Sequence, residues 1–198
     1  MSWLEWVAAG LGVINVALVV RRSVWNYPFG LAMVALYFFV FFEARLYSDA
    51  LLQIFFFVVQ LYGWVNWVKA RTQSGEVPVG WLTPQARAGW ILGTALASLV
   101  WGLLMARYTN AAAPIIDAFI AGTSISAQIL MARRMIENWA AWILVDLVAV
   151  GLYFSRDLYP TSGLYLLFLL LSIAGLIGWR RALPGAQAGQ APNKAEPA

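Results

Sequence analysis

The sequence predicts an all-α membrane protein with seven transmembrane helices, arranged as two parallel three-helix repeats joined by a linking helix. Three observations carry that prediction. The chain is 62% hydrophobic and 11% charged, with a mean hydropathy of +0.73, whereas a soluble domain is roughly half apolar and about a quarter charged. Its apolar residues fall into seven stretches of membrane-spanning length. Shifted by 112 positions (179 − 67), the chain resembles itself.

A bilayer core about 30 Å thick needs about 17–25 apolar residues per helical span. The stretches that qualify are Trp3–Val20, Val24–Phe42, Tyr47–Val68, Trp90–Ala106, Ala111–Ala132, Ile136–Phe154 and Tyr159–Trp179. Backbone groups in lipid must be satisfied within the segment, so each is read as a helix even where aromatic residues favour strand. The first lacks a preceding basic region, and Arg21–Arg22 follow it, so it is read as retained and not as a signal peptide. Only Lys69 to Gly89 is long enough to form a true loop. The tail 182–198 is rich in Pro, Ala and Gly and is expected to be disordered.

Basic residues set the orientation. Arg21, Arg22, Lys69, Arg71, Arg87, Arg133, Arg134, Arg180, Arg181 and Lys194 fall on one side, and Arg45, Arg107 and Arg156 on the other. The positive-inside rule makes the first side cytoplasmic, with the N-terminus outside and the C-terminus inside. The net charge of +4 is then a topology signal, and its spread over several loops does not suit nucleic acid. Trp3 and Trp6 at one end, and Trp64, Trp67 and Trp179 at the other, are expected to anchor at the interfaces.

Over residues 9–70 the shift aligns Ala9, Gly10, Leu18, Arg21, Arg22, Asn26, Phe42, Leu46, Tyr47, Leu52, Phe56, Gly63, Trp67 and Ala70 with identical partners, 14 identities in 62 positions. The predicted division is 1–68 for the first repeat, 69–110 for the loop and fourth helix, and 111–181 for the second repeat. Three helices plus one make an even number of crossings, so both repeats enter from the same side. Duplicated bundles of this kind suit alternating access around a site near mid-membrane.

Asp146 lies near the middle of the sixth span, where a carboxylate costs about 2.5–3.5 kcal/mol on insertion scales. No Lys or Arg lies at comparable depth in another span. A protonated carboxyl bonded between helices, a wet cavity or a cationic ligand would each offset that cost. Helical spacing puts Trp139, Trp142, Asp146 and Tyr153 on one face, a surface that suits a flat cationic ring. Trp139 alone also fits an interfacial belt. Gln53 and Gln60 share a face of the third helix, continued by Trp67, while Asp117, Ser124 and Gln128 lie along the fifth. Such groups can bind a polar ligand or serve as helix–helix glue, and Asp117, near the outer end, can equally cap or gate.

The absence of Cys and His removes thiolate chemistry, the usual general base and the commonest metal ligands. No phosphate-cradling or nucleophile-elbow motif occurs, so no catalytic residue, metal site or cofactor is expected. The readings left are a passive carrier, a proton-coupled carrier using Asp146, and a membrane scaffold.

The stretches WNYPFG at 25–30, LYSDALLQIFFFVVQLYGWVNW at 46–67, ILMARRMIENWAAWILVDLVAVGLY at 129–153 and LYPTSGLYLLFLLLSIAGLIGW at 158–179 resemble the PnuC family of bacterial vitamin transporters. The Glu-Asn-Trp-x-x-Trp run at 137–142 is the most specific of them. The resemblance implies a fold like that of the SWEET sugar carriers, a homotrimer in the inner membrane, and uptake of nicotinamide riboside by facilitated diffusion with trapping by a cytoplasmic kinase. It places substrate contacts on Gln53, Gln128, Asn138, Trp139, Trp142 and the position of Asp146; apart from the resemblance, Asn26, Gln60, Asp117, Ser124 and Tyr153 are further pocket or gate candidates. Riboside-selective members often carry Asn at the position of Asp146, and an acid there resembles the thiamine-carrying branch.

Overall fold

The computed structural model describes residues 3–43, 45, 47–109 and 113–183. Among these the chain forms seven helices: α1 (Trp3–Val20), α2 (Asn26–Glu43), α3 (Tyr47–Ser74), α4 (Pro84–Tyr108), α5 (Pro114–Ala132), α6 (Glu137–Ser155) and α7 (Tyr159–Arg181). All seven contain windows long and apolar enough to cross a membrane. The expected disordered tail lies outside the described residues from 184 onward.

Most boundaries fall within a few residues of the sequence reading, and two differ more. Helix α3 runs on past Val68 to Ser74, and α4 starts at Pro84 instead of Trp90. Polar residues that leave the apolar window need not leave the helix, so the loop shrinks to 75–83. Pro84 at the first turn costs no hydrogen bond, and Thr83 Oγ1 accepts from Ala86 N at 3.3 Å as the N-cap.

The 112-residue offset reappears in the geometry. Both α1 and α5 end in an arginine of left-handed backbone, Arg22 at φ 54° and Arg134 at φ 64°. In each case the chain closes a Schellman turn: Ser23 N donates to Leu18 O and Met135 N to Leu130 O, both at 2.9 Å. Asn26 Nδ2 then donates to Ser23 O at 2.7 Å, and Asn138 Nδ2 to Met135 O at 2.6 Å. These paired turns reverse the chain into α2 and α6.

The halves are joined by α1 against α7 and α3 against α5. Trp67 Nε1 donates to Met131 O at 3.2 Å, and Trp179 Nε1 to Val19 O at 3.1 Å. Each indole thus crosses into the other half and binds the equivalent carbonyl. Around them Tyr27, Trp67, Trp179 and Trp139 form a continuous ring-to-ring layer with neighbouring centroids 5.4–5.8 Å apart. Trp67 and Trp179 have no exposed surface, which corrects the expectation that they anchor at the interface. Trp3 and Trp6, by contrast, are largely exposed.

Glycine permits this layer. A Cβ on Gly63 would lie 2.6 Å from Tyr27 Oη, and one on Gly175 would lie 2.5 Å from Trp139 Cε2. Gly175→Val is therefore expected to destabilise the fold by about 1–3 kcal/mol through overpacking. Gly10→Ala, where nothing lies within 4 Å, serves as the control. Thermal unfolding of the purified proteins in detergent checks the pair.

Candidate functional site

Above the aromatic layer the two halves enclose a cavity of about 410 Å³. Val19, Met131 and Trp139 close it toward the arginine-rich turns, while Glu5, Tyr153 and Thr161 line it near the opposite helix ends. Of the residues expected at a site, Gln53, Gln60, Gln128, Trp139, Trp142, Asp146 and Tyr153 all line this space. The α6 stripe therefore faces inward over its whole length. Trp139 is 1% exposed, so the interfacial-belt alternative fails for it.

The other four lie elsewhere. Asn138 and its equivalent Asn26 are buried outside the cavity, where each amide holds the turn before its helix. The same Asn at the same repeat position makes the same turn contact in both halves. Ser124 is buried off the cavity, and Asp117 is exposed near the start of α5. Trp67, expected to continue the glutamine face of α3, belongs to the aromatic layer.

Asp146 is 3% exposed, and its Oδ2 accepts a hydrogen bond from Ser172 Oγ at 3.0 Å. Neither Lys nor Arg lines the cavity among the described residues, and its formal charges are Glu5 and Asp146. Gln60 Oε1, Gln128 Nε2 and Trp139 Nε1 are buried with no partner from the protein. An unpaired buried polar group costs about 1–3 kcal/mol, and these three atoms would meet a polar ligand only if their side chains turned toward the cavity, because they have essentially no accessible surface here. The cavity can accordingly hold a flat cation against indole faces, balance its charge with a carboxylate, and hydrogen-bond its polar arms.

Sequence reasoning missed Asn15, Ser172, Tyr37 and Tyr165, which also line the cavity. Asn15 was legible as the lone amide of the first span. Ser172 was legible through the repeat, since it stands 112 positions after Gln60. The two tyrosines carry no such signal in a chain so rich in aromatics.

The family model described as Nicotinamide mononucleotide transporter matches residues 2–181. This chain belongs to that family. Nicotinamide riboside transporter PnuC of Escherichia coli strain K12 is 28% identical, covering 90% of this chain and 85% of its own length. The protein of the same name from Neisseria mucosa is 31% identical, over 91% and 73%. Riboflavin/roseoflavin transporter RibM of Streptomyces davaonensis is 34% identical, over 89% and 84%. The crystal structure of the vitamin B3 transporter PnuC superposes with a TM-score of 0.76 at 28% identity, covering 93% of this chain and 83% of that one. The protein is thus a multi-pass membrane transporter for a small vitamin-like molecule, and not an enzyme.

Asn138→Ala is expected to cost about 1–2 kcal/mol of stability, seen as a lower melting temperature. Ligand affinity of the protein that remains folded should change less than about twofold, a shift within ordinary context effects.

Proposed function

We propose that this chain takes up nicotinamide riboside across the bacterial inner membrane by facilitated diffusion, and that a cytoplasmic kinase traps the product. The observation that carries this reading is the cavity pairing Trp139 and Trp142 with a buried Asp146 and no lining Lys or Arg. The riboside carries a pyridinium cation, which indole faces and a carboxylate attract. A mononucleotide would bring a phosphate near two carboxylates with no lining cation to balance it. The relatives named for nicotinamide riboside support the same choice. A volume of about 410 Å³ falls within the usual range for small-molecule sites, about 300–1,000 Å³.

On this reading residues 1–68 and 111–181 are the two moving halves, and 69–110 links them. The contacts repeated at the 112-residue offset support that division. The excess of Lys and Arg at the turns after α1 and α5 supports a cytoplasmic location for that face, with the N-terminus outside. A homotrimer fits the apolar surface of α4, where Ile91, Leu92, Leu96, Leu99, Trp101 and Leu103 are exposed. Among the described residues α4 lies along α5, with Arg87 in its first turn also paired to Glu137 of α6. Thiamine is the second reading, favoured by the acid at Asp146, because it too is a cationic heteroaromatic vitamin. A proton-coupled carrier in which Asp146 holds the proton is the remaining alternative.

Liposomes containing the protein, with no ion gradient, should equilibrate labelled nicotinamide riboside faster than empty ones. Thiamine and riboflavin, tested alongside, rank the alternatives, and the absence of riboside flux with folded protein rejects the proposal. An imposed pH gradient should not drive accumulation. Trp142→Ala should weaken riboside binding at least about tenfold, the scale of a desolvated cation–π contact with its packing, while melting falls much less. Asp146→Asn should cost thiamine a comparable factor, the riboside less, because riboside-selective members often carry Asn there, and riboflavin little.

A further inference from the structure

The short segment between α3 and α4 touches the equivalent arginine turn in both halves. Gly75, at φ 75°, turns the chain out of α3. Next, Arg22 donates from Nη2 to Glu76 Oε2 at 3.0 Å and from Nη1 to Val77 O at 3.1 Å. Val77 itself is 2% exposed and packs into the cluster that contains Tyr27, Trp67, Trp139 and Trp179. Three residues on, Gly80 N donates to Arg134 O at 3.2 Å, and Gly80 O accepts from Ile136 N at 2.9 Å. Glu137 Oε1 accepts from Leu82 N at 3.0 Å and pairs with Arg87 Nη2 at 2.8 Å. One stretch of eight residues or so thus straps Arg22 of the first half to Arg134 and Glu137 of the second. It lies directly against the layer that closes the cavity.

The two grips are unequal. On the second half the strap is held by two main-chain hydrogen bonds and a glutamate whose side chain is 13% exposed. On the first half it is held by Arg22, and the Glu76 side chain is 72% exposed, while Val77 sits among rings of both halves. An exposed ion pair is the weaker attachment. The crossed indole bonds also join the halves, so no path through the aromatic layer exists unless the halves part on this side.

We propose that residues 75–83 form a latch that rides with the second half and releases the first half at Arg22 when the cavity opens toward the arginine-rich face. Val77 leaves the aromatic cluster in that step, and Arg22 exchanges Glu76 for solvent. The proposal rests on the reading of the chain as an alternating-access carrier, but the latch has its own readout.

The chain has no cysteine, so a single reporter can be introduced by Val16→Cys, at a residue that lines the cavity. Membrane-impermeant maleimide is applied to the arginine-rich face in sealed vesicles of defined orientation. Adding Glu76→Ala should speed labelling from that face about three- to tenfold, the shift expected when one weak contact of a two-state equilibrium is removed. Glu76→Gln, whose amide oxygen can still accept from Arg22 while the Arg22–Val77 bond is untouched, should keep more of the protection than Glu76→Ala. In a second arm, Arg22→Cys with Glu76→Cys, without the reporter, is bridged by a reducible bis-thiosulfonate. Bridging should cut vitamin flux at least about tenfold while leaving the ligand-induced rise in melting temperature, and a reductant should restore flux. Unchanged labelling in Glu76→Ala, with a normal melting profile, overturns the latch. So does undiminished flux in the bridged protein. If the parent protein carries no vitamin at all, the labelling arm still decides the latch, while only the transport reading fails.

Discussion

Two indole N–H groups hold the architecture in place. Trp67 and Trp179 each reach across the line between the halves to the carbonyl of Met131 and Val19 respectively. These carbonyls lie in the last turns of α5 and α1 and already accept from Arg134 N and Arg22 N, so each indole takes a second lone pair of the same oxygen. The bond gives the buried indole N–H the partner that it would otherwise lack inside a bilayer. The ring attached to it then fills the space beside the axis. From that pair follow the need for glycine at Gly63 and Gly175, the burial of Tyr27 and Trp139, and the closed floor of the cavity. A carrier needs such a junction to be specific but breakable. Two neutral hydrogen bonds, each worth about 0.5–1.5 kcal/mol net, with aromatic edges between them, meet both requirements better than a buried ion pair would.

Much of this frame was legible in the sequence because it is driven by a bulk property. Seven apolar stretches give seven helices, and hydropathy needs no tertiary information to be read. The inward face of α6 was legible for a related reason: a carboxylate at mid-membrane has so few tolerable surroundings that Asp146 fixes the direction of its helix. Trp139, Trp142 and Tyr153 follow by periodicity. Trp67 and Trp179 were misread because an indole near a helix end suits the interface and the interior equally. What decides between them is the facing carbonyl, which is 64 residues away in one case and 160 in the other. Asn138 is a different case. An amide beside two pocket tryptophans looks like a ligand contact, but the chain needs it to hold its own turn.

The repeat was the underused source. Identical residues at the 112-residue offset mark the frame: Asn26 and Asn138 at the turns, Gly63 and Gly175 under the rings, Trp67 and Trp179 across the axis. Positions that differ between the halves supply the cavity's polar and indole groups. Trp142 corresponds to Gly30, Asp146 to Val34, Ser172 to Gln60 and Gln53 to Tyr165, and all of these except Gly30 line the cavity. Identity does not exclude a cavity position, since Phe56 and its equivalent Phe168 both line it, but what the identical pairs add to the lining is apolar.

That division has a physical basis. Two halves that rock about a common axis benefit from equivalent contacts, since each opening is then resisted by similar junctions. A vitamin with a charged ring at one end and a polar arm at the other has no such symmetry, so the walls around it cannot match. Gly30 shows how the difference is built. A Cβ there would collide with Gln60 Oε1 and come within 2.6 Å of Asn15 Nδ2. Where the second half spends its volume on the Trp142 indole, the first half removes the side chain and brings two amides into the same space. At this level an indole of one half therefore faces two amides of the other on a shared frame, while both halves add an acid and aromatic rings around them, Glu5 and Tyr37 from the first and Asp146 and Tyr165 from the second.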